Sequence, residues 1–225
     1  MIQKPNHAVI FDMDGVLVDT EPVINAAAII GLQDFGVQAK PEDFIPFIGA
    51  GEVRYIGGVA EKYGVPYRPE MKDRVYEIYL QIVDEKLQVF PGVKTCLAEL
   101  KDAGIPMALA SSADRIKIEA NLKAAEISPD IFSVILSAED VQQRKPSPEI
   151  YLKAAEKLSI SPDKCIVVED ALNGIQSAKA AGMFCIAVTN TFTKDKLKKE
   201  NPDFICNGMD KACRVISQGA ASPLL

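Results

Sequence analysis

The sequence contains no tryptophan and only one histidine, His7. A single histidine excludes nucleophilic machinery built on a Ser-His or Cys-His pair elsewhere in the chain. Aromatic residues make up only 7% of the chain and are dispersed at helical spacing, which is typical of core packing and unsuited to stacking nucleic-acid bases. No apolar run approaches the roughly eighteen residues that cross a bilayer. The sequence therefore predicts neither a nucleic-acid platform nor a membrane span.

Cysteine spacing typical of a zinc site or a disulfide framework is also lacking. The five cysteines are odd in number and scattered, without a C-x-x-C pair, which predicts reduced thiols and no zinc site. The net charge of −6 disfavours nucleic-acid and membrane partners, yet it leaves room for an anionic small molecule held by local positive charge. The first residues lack the apolar segment of a signal peptide, so we expect a cytoplasmic protein, and we expect a monomer.

Strand-like and helical patterns alternate from Phe90 onward, which predicts an α/β fold with a doubly wound parallel sheet. A first strand, 8–11, belongs to the same sheet by its apolar character. The segment 18–89 between them shows helical spacing and no strand-like alternation. We therefore predict a core formed by residues 1–17 and 90–225. A small α-helical cap, inserted after the first strand, would lie over the carboxyl end of the sheet.

Two acidic residues follow the first strand, in a predicted turn. The apolar run 8–11 is followed by Asp12 and Asp14, with Gly15 next. In parallel α/β sheets, ligands bind at the carboxyl ends of strands. Two carboxylates there repel each other unless a cation, a proton or hydrogen bonds compensate them, so the pair indicates a divalent metal site. Taken alone, however, an Asp-x-Asp pattern is more often a solvated turn.

Three later segments carry residues that phosphoryl transfer uses. The first and last are apolar runs typical of strands, and the middle one is the turn-rich sequence RKPSP. A lone lysine is by default a solvated surface residue, and an acidic pair after a strand is often the first turn of a helix. Those alternatives are less favoured here, because all the segments occur together in one chain and in one order. The residues concerned are Ser111, Ser112, Lys145, Glu169 and Asp170.

In the order Asp-x-Asp, Ser, Lys, Glu-Asp, these residues resemble the four motifs of the haloacid dehalogenase superfamily, most of whose members are magnesium-dependent phosphatases. The resemblance covers nearly the whole chain and implies a Rossmann-like core with a helical cap. It also implies an enzyme, a phosphoric monoester hydrolase, that acts on a small phosphorylated substrate with Mg²⁺ as cofactor.

The resemblance assigns catalytic roles to individual residues. Asp12 is expected to be the nucleophile that forms an aspartyl-phosphate, and Asp14 the general acid and base. Ser111, Ser112 and Lys145 are expected to bind the phosphoryl oxygens. Ser111 and Lys145 are also expected to be catalytic. The lysine would supply positive charge where negative charge builds up in the transition state.

The same resemblance implies a set of metal ligands. These are the side chains of Asp12 and Asp170 and the main-chain carbonyl of Asp14, with Glu169 as a further candidate. A hard cation such as Mg²⁺ prefers oxygen ligands of this kind. Dehalogenation needs neither a metal nor a second aspartate, so the acidic residues favour phosphoryl transfer.

Two segments, EDALNGIQSAKAAG and KPSPEIYLKAA, are similar to the group with a β-phosphoglucomutase type of cap, and Thr20 matches a hinge threonine of its mutases. Those mutases hold a second phosphate with a histidine and an arginine where this chain has Ile24 and Glu52. We therefore expect a phosphatase acting on a sugar phosphate, with a sugar phosphate mutase or a non-catalytic phosphometabolite-binding protein as alternatives. The segments FIGAGEVRYIGGVA and ASSADRIKIEANLKAA are also similar to the dehalogenase-like domain of a plant thylakoid photoprotection protein, which leaves the substrate undetermined.

Overall fold

The computed structural model describes residues 7–49 and 51–218, so residues 1–6, on which the signal-peptide expectation rests, lie outside it. Among the described residues, six strands form a wholly parallel sheet and two shorter strands form an antiparallel pair. In chain order the strands are β1 (Ala8–Phe11), β2 (Val18–Asp19), β3 (Gln88–Val89), β4 (Met107–Ala110), β5 (Val134–Leu136), β6 (Cys165–Glu169), β7 (Phe184–Val188) and β8 (Phe204–Cys206). The large sheet has the order β5-β4-β1-β6-β7-β8, which confirms the predicted α/β fold with a doubly wound parallel sheet.

Helices connect the strands and cover both faces of the sheet. In chain order the α-helices are α1 (Glu21–Gln33), α2 (Glu52–Lys62), α3 (Pro69–Lys86), α4 (Val93–Asp102), α5 (Arg115–Ala124), α6 (Glu149–Leu158), α7 (Leu172–Ala180), α8 (Lys194–Leu197) and α9 (Met209–Ser217). Pro22 and Pro69 lie in the first turns of α1 and α3, where proline interrupts no helical hydrogen bond. None of the helices in the described ranges has the length and apolar character needed to cross a membrane.

Strand β1 is buried on both faces, which explains its uninterrupted apolar sequence. Val9 and Phe11 belong to the core cluster that includes residues of α4, α5 and α9. Ala8 and Ile10 point the other way and belong to the cluster that includes residues of α6 and α7. Because successive side chains of a strand alternate between faces, one short run supports both layers of the fold.

The sheet reverses its winding direction beside β1. The chain runs outward from β1 through β4 to β5, then starts again at β6 on the other side of β1 and runs outward to β8. In open α/β sheets, ligands bind in the crevice at this switch point, outside the carboxyl ends of the strands. Asp12 follows β1 and Glu169 ends β6, so both lie at this crevice.

The chain leaves the sheet through β2 and returns through β3, and these two strands pair with each other, Val18 opposite Val89 and Asp19 opposite Gln88. Between them, α1, α2 and α3 enclose a separate apolar cluster. Gly31 lies against the backbone of Val75, which lets α1 and α3 approach closely. We refer to this helical block as the cap. Its division from the core at 18–89 remains our interpretation of these contacts.

Candidate active site

Lys145 links the ends of three neighbouring strands. Its Nζ donates hydrogen bonds to Asp12 Oδ1 at 2.6 Å, to Glu169 Oε1 at 2.8 Å and to the carbonyl oxygen of Ala110 at 3.1 Å. Burial lowers the pKa of Lys145, but the two carboxylates outweigh it and hold the pKa above its ordinary value. The side chain is only 3% exposed. One buried ammonium therefore compensates two buried carboxylates.

Both carboxylate oxygens of Glu169 are engaged by protein donors. Oε1 accepts hydrogen bonds from Lys145 and, at 2.9 Å, from the hydroxyl of Tyr151. Oε2 accepts from the main-chain amides of Asp170 at 2.8 Å and Ala171 at 2.9 Å. Burial opposes ionisation, yet the Lys145 ammonium and these donors lower the pKa of Glu169. Glu169 thus orients Lys145 and the turn that leads into α7, and its hydrogen bonds do not favour its predicted role as a metal ligand.

Asp14 is held from the cap side and from the core side. Its Oδ1 accepts a hydrogen bond from the Thr20 hydroxyl at 2.7 Å and lies 3.3 Å from Lys117 Nζ and 3.5 Å from Asn121 Nδ2. Its Oδ2 is 3.5 Å from the Ser111 hydroxyl. Thr20 lies just before the first cap helix, so the predicted hinge threonine contacts the predicted acid and base directly.

Asp170 packs against the turn that follows β1. Gly15 has a φ of +80°, and a Cβ placed there would overlap the Asp170 carboxylate, so only glycine allows this approach. The amide of Asn190 donates to the Gly15 carbonyl oxygen at 2.8 Å and fixes the turn from the other side. Burial, reinforced by the charges of Glu169 and Asp12, raises the pKa of Asp170 well above its ordinary value.

The residues around this turn fit a hard divalent cation. Burial raises the pKa of Asp12 to about 7 although Lys145 opposes it, and the ion pairs of the described residues do not include Asp170. Two desolvated carboxylates with this surplus of negative charge form an oxygen-donor set that Mg²⁺ would stabilise. In the described part of the chain, no three His, Cys, Asp or Glu side chains are arranged to hold a metal. Such a site therefore needs further oxygen ligands, and the Asp14 carbonyl is the candidate.

A cavity of about 480 Å³ lies between the cap and the carboxyl edge of the sheet. Cavities of this size accommodate a small molecule. The structure brings all the site residues predicted from the sequence to its wall: Asp12, Asp14, Ser111, Ser112, Lys145, Glu169 and Asp170. The Ser111 hydroxyl accepts a hydrogen bond from the Ala113 amide at 3.1 Å, which directs the serine toward the cavity from the end of β4.

The cap contributes little free positive charge to this cavity. Ile24 is buried, and it and Glu52 line the wall. Lys62 pairs with Asp43 and Lys72 with Asp114, and neither lysine lines the cavity. Arg54 does line it, with its guanidinium 2.8 Å from the Glu61 carboxylate and over the Phe47 ring.

Lys117 and Asn121, which the motifs did not predict, are buried on α5 and contact Asp14. The available signal was their spacing of four residues, which places two polar side chains on one face of a helix. That face is otherwise apolar, because Ile118 and Leu122 are buried beside it. A polar pair within a buried helical face indicates a specific partner.

Comparison with known proteins assigns this arrangement to a family. The model of the haloacid dehalogenase-like hydrolases matches residues 9–188. The chain is 44% identical over 202 residues to the protein SUPPRESSOR OF QUENCHING 1, chloroplastic, of Arabidopsis thaliana, covering 88% of this chain and 19% of that protein. The chain thus spans about a fifth of the plant protein's length.

Two further relatives are matched over most of their length. The chain is 36% identical over 188 residues to a phosphorylated carbohydrates phosphatase of Thermotoga maritima, covering 78% of this chain and 82% of that protein. The crystal structure of a putative β-phosphoglucomutase from Thermotoga maritima superimposes with a TM-score of 0.79 and 28% identity, covering 95% of this chain and 99% of that one. Both the resemblance inferred from the motifs and the similarity to the plant protein are confirmed.

Proposed function

Because the chain belongs to the haloacid dehalogenase-like hydrolase family, we propose that it is a Mg²⁺-dependent phosphatase that hydrolyses a small phosphorylated metabolite, a sugar phosphate, through an aspartyl-phosphate on Asp12. The observation that carries this proposal is the position of Asp12. It is 7% exposed, directly follows the central strand β1 at the cavity and is hydrogen-bonded to Lys145 at 2.6 Å. A nucleophile, a fixed cation and a small-molecule cavity are thereby combined in one place.

The first half-reaction uses Asp12 and Asp14. A carboxylate oxygen of Asp12 forms a bond to phosphorus while the bond from phosphorus to the leaving oxygen breaks, and Asp14 gives its proton to that oxygen. Lys145 and the Ser111 hydroxyl stabilise the negative charge on the phosphoryl oxygens.

The second half-reaction restores the enzyme. Asp14 takes a proton from water, the water oxygen bonds to phosphorus, and the bond from Asp12 to phosphorus breaks to release inorganic phosphate. One carboxylate therefore serves as acid and then as base, which requires its side chain to be free of the metal.

We assign the metal to the side chains of Asp12 and Asp170 and the carbonyl of Asp14. When bound, Mg²⁺ neutralises the carboxylates and supplies positive charge to the transferring phosphoryl group. Glu169 is the less favoured ligand, because Lys145, Tyr151 and two main-chain amides already occupy its oxygens.

A phosphatase is favoured over a mutase by the charge of the cap wall. A mutase must hold a second phosphate there, whereas Ile24 is apolar and Glu52 repels an anion. The mutase remains the second candidate because of the similarity to the putative β-phosphoglucomutase structure. A non-catalytic role is disfavoured because all five expected positions, Asp12, Asp14, Ser111, Lys145 and Asp170, carry functional side chains at one cavity.

A substrate screen tests the proposal. The full chain is incubated with Mg²⁺ and a panel of hexose, pentose, hexitol and glycerol phosphates, and released phosphate is measured. Turnover of at least one ester, lost in the Asp12→Asn variant, is expected; no release from any ester would overturn the proposal. The expected cytoplasmic location and monomeric state stay predictions, and the plant relative is named as chloroplastic.

A further inference from the structure

Lys117 of the core lies between a residue of the cap and the predicted acid and base. Its ammonium is 3.0 Å from Glu52 Oε1 and 3.3 Å from Asp14 Oδ1. The Lys117 side chain is 5% exposed and that of Glu52 14%. Burial lowers the pKa of Lys117, but the carboxylates of Asp14 and Glu52 outweigh it and raise the pKa well above its ordinary value. The lysine is therefore charged and shared by two carboxylates that belong to different parts of the fold.

Other residues of the cap also take part in this contact. Glu52 is the first residue of α2, and its other oxygen accepts a hydrogen bond from the hydroxyl of Tyr76 on α3. The ring of Tyr79, also on α3, lies 5.4 Å from the Lys117 ammonium. The Tyr79 hydroxyl donates to Asn121 Oδ1 at 2.7 Å. Two cap helices, α2 and α3, thus contact Lys117, and α3 also contacts Asn121.

We propose that Lys117 and Glu52 are positioning residues that fix the Asp14 carboxylate for proton transfer when the cap is closed. Oδ1 of Asp14 is contacted by Thr20, Lys117 and Asn121. Its other oxygen, Oδ2, is therefore left to face Ser111 and the phosphoryl site. This inference rests on the proposed function, because it assigns a purpose to the orientation of the acid.

The position of the cap decides whether this arrangement is complete. If the cap moves away, Glu52, Tyr76 and Tyr79 leave together, and Lys117 is left with Asp14 alone. The ammonium then approaches Asp14 without a competing carboxylate, and its own position is no longer fixed. Another ion pair between cap and core, Lys72 with Asp114, lies outside the cavity wall and contacts none of the residues assigned to catalysis. Closing the cap is therefore coupled to Asp14 through α5, by the ion pairs of Lys117 and by the Tyr79–Asn121 hydrogen bond beside it.

Comparison of two ester types tests this role. An alkyl phosphate that the protein hydrolyses needs its leaving alkoxide protonated, whereas p-nitrophenyl phosphate releases a weak base that needs no acid. In Glu52→Gln and Lys117→Met, we expect kcat/KM for the alkyl ester to fall about 10²-fold, the loss typical of a misplaced catalytic group. The kcat/KM for p-nitrophenyl phosphate should change less than about threefold, because its leaving group needs no acid. The later step, in which Asp14 acts as base, does not enter kcat/KM. Lys117→Arg should restore part of the alkyl activity.

The chain offers a matched control in Lys123 of α5, which pairs with Asp84 of α3 at 3.4 Å but is 78% exposed and does not line the cavity. Lys123→Met should leave both esters unchanged. An equal loss on both esters in Glu52→Gln, or no loss on either, would overturn the positioning role. Glu52→Gln is expected to fold even if Lys117→Met does not, because it leaves the buried Lys117 ammonium paired with Asp14.

Hydrogen exchange separates failure of this inference from failure of the proposed function. The amides of α2 should exchange about tenfold faster in Glu52→Gln than in the wild-type protein or Lys123→Met, because the cap opens more often. If the wild-type protein hydrolyses no ester of the panel, the proposed function fails. Unchanged exchange in Glu52→Gln would independently overturn the coupling of the pair to the cap.

Discussion

The ammonium of Lys145 lies 2.6 Å from Oδ1 of Asp12, although 133 residues separate them in the sequence. The Lys145 side chain is 3% exposed and that of Asp12 10%. Neither charge is solvated well by water, so each depends on the other for compensation. Removing one of them should therefore lower the stability of the core as well as the activity.

Lys145→Met should therefore be strongly destabilising. The change leaves Asp12 and Glu169 buried without their cation, and breaking a buried ion pair in this way costs about 3–5 kcal/mol of the free energy of unfolding. Activity should disappear with it. Urea unfolding followed by circular dichroism measures the stability.

A surface pair provides the comparison. Lys94 lies 3.1 Å from Glu126, with side chains 51% and 84% exposed, so Lys94→Met should cost no more than about 1 kcal/mol. If both lysine variants lost similar stability, Lys145 would not be the buried counter-charge described here.

Asp12→Asn should abolish turnover and phosphoenzyme formation while the protein stays folded, because the amide and the carboxylate are nearly isosteric. Phosphate release measures the first and mass spectrometry of the acid-quenched protein the second. Substantial activity in a folded protein, shown by mass to be free of deamidation, would refute covalent catalysis by Asp12.

Much of this site follows from where apolar runs end. The apolar runs 8–11, 107–110 and 165–168 lie directly before Asp12, Ser111 and Glu169 and belong to short parallel strands. Their carboxyl ends therefore meet at one edge, and the sequence predicted that edge. Parallel pairing is the reason that motifs far apart in the chain can be assigned to one site from the sequence alone.

Two features depend on information that the motifs do not contain. The contact between Glu52 and Lys117 joins residues 65 positions apart, and it forms only because the cap docks in one orientation on α5. The direction of the Glu169 side chain is the second. Adjacent acidic residues at a strand end look alike in sequence, yet Asp170 turns to the Gly15 loop and Glu169 turns to Lys145.

Gly174→Ala should impair activity through Glu169. Gly174 lies in the first turn of α7, and a Cβ there would overlap the Glu169 carboxylate. Alanine gains up to about 1 kcal/mol of helix propensity, but overpacking a buried site costs about 1–3 kcal/mol, so the net change should be destabilising. The displaced Glu169 would also move Lys145, so kcat should fall in the protein that remains folded.

Gly31→Ala is the matched control, because it crowds Val75 inside the cap and leaves the strand ends untouched. It should lower the thermal midpoint and keep kcat per folded molecule close to that of the wild-type protein. A Gly174→Ala protein with unchanged kcat would show that Glu169 does not orient Lys145 for catalysis.

Metal removal should stop the reaction reversibly. With Asp12 and Asp170 as ligands, activity should vanish in EDTA and return with Mg²⁺, whereas Ca²⁺, which is larger and less strictly octahedral, should bind without supporting efficient transfer. Asp170→Asn should raise the Mg²⁺ concentration required for half-maximal activity. Full turnover in excess EDTA would contradict the metal assignment.

The last prediction separates a phosphatase from a mutase through the cap wall. A mutase must hold a bisphosphate intermediate while the sugar turns over, so it needs a second phosphate site. Ile24 offers that phosphate no hydrogen bond, and Glu52 repels it even though Lys117 offsets part of the glutamate charge. Given β-glucose 1-phosphate with glucose 1,6-bisphosphate as primer, the protein should therefore form little glucose 6-phosphate and release phosphate slowly, if at all.

A coupled assay for glucose 6-phosphate, run beside a phosphate-release assay, measures both outcomes in one sample. Conversion with kcat/KM on the order of 10⁴ M⁻¹s⁻¹ or better would establish the mutase. Arg54 would then be the residue to test, because among the basic residues of the described cap it lines the cavity, with Glu61 as its exposed counter-ion. Arg54→Met should abolish that conversion in a mutase, whereas in a phosphatase it should change phosphate release from monophosphates only through KM.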